Sequence, residues 1–449
     1  MSAADAIRAA VARSATVAEV MMGAGVMGGA GTLFRRHFGT GPAWIIADEA
    51  SWAAAGDRLE AGLATAGVPL RRHVMPARPR PKPTVELASS LRDLMARDGA
   101  TPVALGSGVI NDVVKHAAFS LGRPYLCVAT AASMDGYTSA GAPLSDKGFK
   151  KTIQCRPARA VLGDLDVIAA APPAMTGWGY GDLAGKVPAG GDWIVADALG
   201  IEAIDDVAWP MVQGDLRSWL SRPDLVAKGD RGAIEGLFSG LTLVGLAMEA
   251  HGSSRPASGA DHQIAHLWEM ADLHHQGERV SHGGCVAVGC TATLRLWDWL
   301  LSQDLTRLDA AALTARAPTL AARAVEINAI FGPGEIGARA LEETATKHVQ
   351  GERLHARLAL LVRKWPDLRA RLQAQLMTAR DMRSALHAAG APADEADIGL
   401  SRDALRSGVM AARFLRSRYT LLDLLDETGL LSEAVDAALP REAAARGGR

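Results

Sequence analysis

The sequence predicts an α/β domain built on a parallel sheet, followed by an all-helical second domain. Two observations carry this. From about Glu19 to Thr130, short apolar runs alternate with helical stretches, the signature of a parallel sheet covered by helices. After about residue 167 the strand signals thin out, and long Ala/Leu-rich amphipathic stretches take over, separated by Gly/Pro clusters such as FGPGEIG (331–337). The expected domains are therefore 1–167 and 168–449.

In chain order, AWIIAD (43–48) reads as a strand and residues 50–67 as a helix. RPRPKP (78–83) is an extended, proline-punctuated connection, and 84–99 is helical. TPVALGSG (101–108), VINDVVKHAAFSLG (109–122) and PYLCVAT (124–130) then repeat strand, helix and strand. In the second part the most apolar stretch, 241–248, is far shorter than the ~20 residues that span a bilayer and reads as a buried helix. Leu354, Leu358, Leu361, Trp365, Leu368, Leu372 and Leu376 recur at three- and four-residue spacing, which makes one core-facing stripe. Pro366 interrupts the stripe, so two packed helices are expected, with Pro366 in the first turn of the second.

The 449 residues leave ample length for a buried core and exclude a small disulfide-stapled module. Lys and Arg number 48 against 49 Asp and Glu, which argues against nucleic-acid binding by bulk charge. The four cysteines, Cys127, Cys155, Cys285 and Cys290, lack Cys-x-x-Cys spacing and read as buried core residues of a reducing compartment. Asp5, Arg8, Arg13 and Glu19 fall where a signal peptide needs an unbroken apolar core, so a cytoplasmic protein is expected.

Three constellations could carry chemistry. In LGSGVIND (105–112) an apolar strand ends in Gly-Ser-Gly and leads straight into a helix, whose free amides favour a phosphate. The full Gly-x-Gly-x-x-Gly fingerprint is absent, and such turns also serve merely to reverse the chain. ATAASMDGYTSAG (129–141) runs from a strand into small polar residues with one acid, Asp135; a ligand loop and a simple Asx-turn both fit. A dispersed set comprises Asp182, Lys186, His262, His266 and His282. His262 and His266 share a helix face close to Glu269, and two histidines with a carboxylate can hold a divalent ion with positions left open. His251, His274 and His275 are equally near in sequence, and spacing does not choose among them.

Together GSGVINDVVKHAAFSLGRPYLCVATAASMDGYTS, GFKKTIQCRPARAVLGDLDVI, GDLAGK, SSRPASGADHQIAHLWEM and SHGG resemble, in that order, the sn-glycerol-1-phosphate dehydrogenases. These lie within the superfamily of iron-containing alcohol dehydrogenases and dehydroquinate synthases. Residues 398–431 are similar to the ending of the longer bacterial members, so the resemblance covers roughly residues 17 to 435. It implies an N-terminal nucleotide-binding domain, a helical C-terminal domain and an active site in the cleft between them. It assigns NAD or NADP contacts to Asp48, Gly108, Val109, Ile110, Asn111, Asp112, Thr130, Ala131, Ala132, Ser133 and Ser139. It assigns a divalent ion, zinc or nickel, to Asp182, His262 and His282, and substrate contacts to Asp135, His266 and Asp182.

The implied reaction is reversible hydride transfer to C2 of dihydroxyacetone phosphate, with His266 or a water at the ion relaying the proton and Asp135 in the catalytic group. Lys150, Lys151 and Lys186 are candidates for the substrate phosphate, and a homodimer without a nucleic-acid partner is expected. Asp48 would favour NAD by repelling a 2′-phosphate. Three departures from the family pattern stand out: Val187 and Pro188 after GDLAGK, Gly284 where an acid is common, and Asp261 where glutamate is commoner. An unphosphorylated polyol as substrate, a carbocycle-forming synthase and an inactive nucleotide-binding module are the competing readings.

Overall fold

The computed structural model describes residues 2–146 and 149–441. The chain forms two compact units, one of Met1–Leu183, Asp206–Ala257 and Ala388–Ala391, the other of Ala184–Asp205, Ser258–His387 and Pro392–Arg449.

The first unit holds strands β1 (Glu19–Gly23), β2 (Ala43–Asp48), β3 (Leu70–Met75), β4 (Thr101–Gly106), β5 (Leu126–Ala129), β6 (Gly141–Asp146), β7 (Phe149–Gln154) and β8 (Ala160–Asp164). Six of them make a parallel sheet in the order β1-β8-β5-β4-β2-β3, and β6 and β7 pair as a separate antiparallel hairpin. Strands β4, β5 and β8 are almost wholly buried, as near-continuous apolar runs are when both sheet faces are covered. The α/β prediction holds, and β2 falls where the sequence placed it. The hairpin and edge strand β3 escaped the apolar pattern. Strand β3 reads LRRHVM, and charge on an edge strand blocks unwanted pairing while hiding the strand's periodicity.

The units do not follow the boundary expected at residue 167. The 21-residue helix Arg231–His251 belongs to the sheet-bearing unit. Its Phe238 sits where a Cβ on Gly163 of β8 would clash at 2.4 Å, and its Thr242 carbonyl accepts from Thr138 Oγ1 at 2.7 Å. Its Leu243 and Leu246 join Ile7, Ala10 and Val17 in one apolar cluster. Chain order therefore separates what packing unites. This helix is also longer than the 241–248 stretch suggested, and by length and composition alone it could cross a membrane; most of it is buried within the protein.

The second unit is helical, apart from a two-residue hairpin, His274–His275 with Glu278–Arg279, among the described residues. The leucine stripe lies on one continuous helix, Gly351–Gln375, with Pro366 inside it, rather than on two. Leu354, Leu358, Leu361, Trp365, Leu368 and Leu372 are all buried along it, on both sides of the proline. Each such burial is worth about 1.5–3 kcal/mol, and together they outweigh the ~3 kcal/mol that an internal proline costs. Leu376 ends the helix in an extended conformation. Lys364 Nζ and Gln375 Nε2 tie this helix to the carbonyls of Ala198 and Val187, at the two ends of helix Lys186–Ala198.

All four cysteines are buried, as expected. Burial pushes the Cys127 thiol up to about 12 and the Cys155 thiol up to about 11, so neither is a thiolate near neutral pH. At pH 8 both are expected to resist a chromogenic disulfide reagent until denaturant is added. Rapid labelling of either in the native protein, located by peptide mass, would contradict their burial.

Candidate active site

In the first unit the carboxyl ends of the adjacent strands β5, β4 and β2 supply the residues expected around a nucleotide, the edge where open α/β sheets bind ligands. Strand β4 ends at Gly106, and helix Gly108–Ser120 begins two residues later with no side-chain cap from Ser107. The first ladder bond is Asn111 N–H to Ser107 O, 3.1 Å, so the amides of Gly108, Val109 and Ile110 precede the ladder and suit an anion. Glycine is required at 106, where a Cβ would lie 2.7 Å from the Ile110 side chain.

The side chains of Asn111 and Asp112 turn inward. Asn111 Nδ2 donates to Gly136 O at 3.2 Å, its Oδ1 accepts from Tyr125 Oη at 3.0 Å, and Asp112 pairs with Lys115 at 3.6 Å. With Ile110 also buried, residues 110–112 offer a cofactor their backbone rather than their side chains. Asp48 caps the next helix, Glu49–Thr65, through Oδ1 to Ser51 N–H at 2.7 Å.

The loop after β5 is held from beneath by Lys115, which is fully buried and donates to Gly136 O (2.7 Å), Gly141 O (2.9 Å) and Ser139 Oγ (3.4 Å). Thr130 N–H donates to Gly106 O at 3.2 Å, and Tyr137 Oη to Ala131 O at 2.7 Å. Ala132 packs against helix Pro173–Ala184, whose Gly179 has no room for a Cβ beside the Ala132 carbonyl. Ser133 and Ser139 are buried in the same loop. Asp135 is half-buried, and its N–H donates to Oδ2 of the fully buried Asp182 at 3.0 Å, which joins two of the expected site residues.

In the second unit, helix Ala260–Met270 presents His262, His266 and Glu269 at positions i, i+4 and i+7. Its start is held by buried Asp192, which accepts from Ala260 N–H at 2.7 Å and from Leu421 N–H at 2.8 Å. His282 opens helix His282–Leu301, capped by Ser281 Oγ accepting from Gly284 N–H at 3.1 Å. The three imidazoles gather, with ring centroids 6.1 Å (His262–His266), 5.5 Å (His262–His282) and 5.6 Å (His266–His282) apart.

Each ring is oriented through Nδ1. His262 Nδ1 lies 2.6 Å from Asp261 Oδ2, His266 Nδ1 2.9 Å from Glu269 Oε2, and His282 Nδ1 2.8 Å from Glu269 Oε1. A carboxylate only accepts, so each Nδ1 carries a proton, and the lone pair that a neutral ring would offer a metal is the one on Nε2. Ring nitrogens of His262 and His282 lie within 4.8 Å of each other, as do ligand atoms of His266, Glu269 and His282. Imidazole nitrogens backed by carboxylates are the donors that zinc or nickel takes, so this group fits a divalent ion. Nearby, burial lowers the pKa of Arg416, whose charge interacts with those of Glu343 and Glu269.

Of the histidines that spacing left open, none joins this group. His251 bonds Ser253 Oγ at 2.9 Å, His274 is exposed and bonds the Asp272 carbonyl, and His275 packs against Gly399. Lys186 is fully buried, and the side chains of Lys150 and Lys151 lie outside the described residues. Asp261, expected to be a mild change, orients His262. Glu269 was visible as a neighbour three residues after His266, but its second bond, to His282, was not. Asp192 and Lys115 escaped the sequence reading, each standing within a largely apolar stretch. Gly284 is the third helical residue, where an acid would complete a capping box with Ser281, and Val187 is a buried core residue.

The two histidine-bearing helices meet at Gly289, where a Cβ would stand 2.5 Å from the Asp261 carbonyl. Gly289→Ala is therefore expected to destabilise the protein by about 1–3 kcal/mol, read from chemical denaturation. An unchanged denaturation midpoint would show that the helices separate freely.

A family model for iron-containing alcohol dehydrogenases matches residues 21–172. The chain belongs to the glycerol-1-phosphate dehydrogenase family within that group. It is 33% identical over 273 residues to a glycerol-1-phosphate dehydrogenase [NAD(P)+] of Thermofilum pendens, covering 60% of this chain and 76% of that protein. It is 39% identical over 197 residues to one of Bacillus licheniformis, 44% of this chain and 49% of the other. The chain thus spans about half the length of that relative and of its Bacillus subtilis counterpart. A probable glycerol dehydrogenase of Sinorhizobium meliloti shares the fold, with a TM-score of 0.59 at 16% identity, covering 95% of this chain and 98% of that one.

Proposed function

We propose that this protein is an NAD(P)-dependent sn-glycerol-1-phosphate dehydrogenase, interconverting dihydroxyacetone phosphate and sn-glycerol 1-phosphate. The observation that carries the reading is the trio His262, His266 and His282, gathered with ring centroids 5.5–6.1 Å apart and each tied through Nδ1 to a carboxylate. The names of the relatives, glycerol-1-phosphate dehydrogenase [NAD(P)+], support the substrate and the cofactor. The resemblance adds Asp182 to His262 and His282 as metal ligands. Zinc or nickel held there supplies Lewis acidity at the C2 oxygen, and the nicotinamide supplies the hydride.

The chain's own residues do the rest. The amides of Gly108, Val109 and Ile110 receive the cofactor pyrophosphate, and Asp48 offers its second oxygen to the adenosine ribose. Ala131, Ala132, Ser133 and Ser139 shape the loop against the nicotinamide half, and Asp135 orients the substrate from its bond to Asp182. His266 Nε2 takes the C2 hydroxyl proton in the oxidative direction and returns it in the reductive one, while Glu269 steadies the ring. The reading carries with it a cytoplasmic homodimer.

The test is NADH oxidation at 340 nm on metal-replete protein, with dihydroxyacetone phosphate, with dihydroxyacetone, and after chelation. Turnover that needs both the phosphate and the metal is expected. Turnover with both ketones alike would reassign the substrate to an unphosphorylated polyol. No turnover despite bound NADH and full metal occupancy would overturn the dehydrogenase reading.

A further inference from the structure

We infer that Glu269 is a positioning residue that sets the tautomer of two imidazoles at once, His282 on the metal side and His266 on the substrate side. The inference rests on the proposed reading of His282 as a ligand, and it is carried by geometry within one unit. Glu269 is buried, and its two carboxylate oxygens are divided between two rings, Oε1 to His282 Nδ1 at 2.8 Å and Oε2 to His266 Nδ1 at 2.9 Å. The two rings lie nearly parallel, 15° between planes with centroids 5.6 Å apart, as expected of planes hung from one planar carboxylate. Glu269 itself is held from its backbone, where Arg279 Nη2 donates to its carbonyl at 3.1 Å.

Two N–H donors converging on one side chain require two acceptors. Glutamate has them and glutamine does not. In Glu269→Gln one ring keeps its bond, now to the amide oxygen, and the other ring's Nδ1–H faces an N–H₂ group that cannot accept it. That second ring must turn its proton to Nε2 to accept from the amide, and an Nε2 that carries a proton neither ligates a metal nor accepts one from a substrate. A near-isosteric change with no loss of volume should thus disable either the metal side or the proton-relay side. Asp261 stands outside this coupling, because its bond is to His262.

The experiment compares wild type, Glu269→Gln and His282→Asn as full-length chains. Zinc affinity is measured by competition with a chromophoric chelator, and imidazole ¹⁵N shifts are recorded on the metal-free proteins. Thermal melting of the metal-free chains controls for folding. The expected result for Glu269→Gln is an Nε2-protonated tautomer at His282 or His266. Where His282 is the ring that turns, zinc affinity also falls by about 10–100-fold, the usual cost of losing a carboxylate behind a metal-bound imidazole. Unchanged tautomers at both rings overturn the inference. His282→Asn keeps the donor toward Glu269 and removes Nε2, so undiminished zinc affinity in that variant overturns the ligand reading instead. The ¹⁵N readout stands without any metal, so the two failures are distinguishable.

Discussion

Replacing His262 with asparagine is expected to abolish tight binding of the divalent ion while leaving the fold in place. The asparagine amide nitrogen occupies the position of Nδ1 and can still donate to Asp261 Oδ2, which now lies 2.6 Å from the imidazole; only Nε2 is lost. Metal affinity should fall by more than about 100-fold, since even a partner behind a ligand is worth 10–100-fold. Turnover should fall with it. His262→Ala would in addition take the donor from Oδ2 of the fully buried Asp261 carboxylate, whose Oδ1 keeps the Gly259 N–H at 3.2 Å, and an acceptor left so costs about 1–3 kcal/mol. The alanine variant should therefore melt well below the asparagine variant. Calorimetric zinc titration with parallel melting curves checks both, and a metal affinity unchanged in His262→Asn would remove His262 from the ligand set.

Replacing His266 with asparagine is expected to separate chemistry from metal binding. The donor to Glu269 Oε2 is kept, so the carboxylate still holds His282, and zinc affinity should stay within about threefold of wild type. Loss of Nε2 removes the group proposed to exchange a proton with the C2 hydroxyl, and general acid–base catalysis is worth about 10²–10⁴-fold. The fall should appear in kcat. A kcat unchanged in metal-replete His266→Asn would assign the proton transfer elsewhere.

Much of the first unit was legible in the chain. Residues 43–48, 101–108 and 124–130 read as strands because parallel strands covered on both faces are near-continuous apolar runs. The Gly-Ser-Gly turn after β4 was legible as the junction of a strand and a helix, but its residue pattern suits a phosphate site and a simple change of chain direction alike. Strand β3 did not read, because it is an edge strand whose Arg71 and Arg72 are both exposed and break the alternation. Pro366 misled because local propensity breaks a helix there, whereas the stripe from Leu354 to Leu372 buries one face through it.

The same division runs through the site. Side-chain types and local spacing determined that His262 and His266 share a face, with Asp261 next to the first and Glu269 three residues after the second; Asp182 and His282 were joined to them only by the family resemblance. Only the tertiary structure decided which histidines gather. His251, His274 and His275 have the same chemistry and similar spacing, but a histidine joins a site only if its helix is packed to deliver it. Gly289 allows that close packing, and Asp192 fixes the start of the helix that bears His262 and His266. Tautomers, too, were decided by contact: Glu269 bonds two rings that lie thirteen and three residues away, and no local pattern encodes a bond made across a turn between two helices.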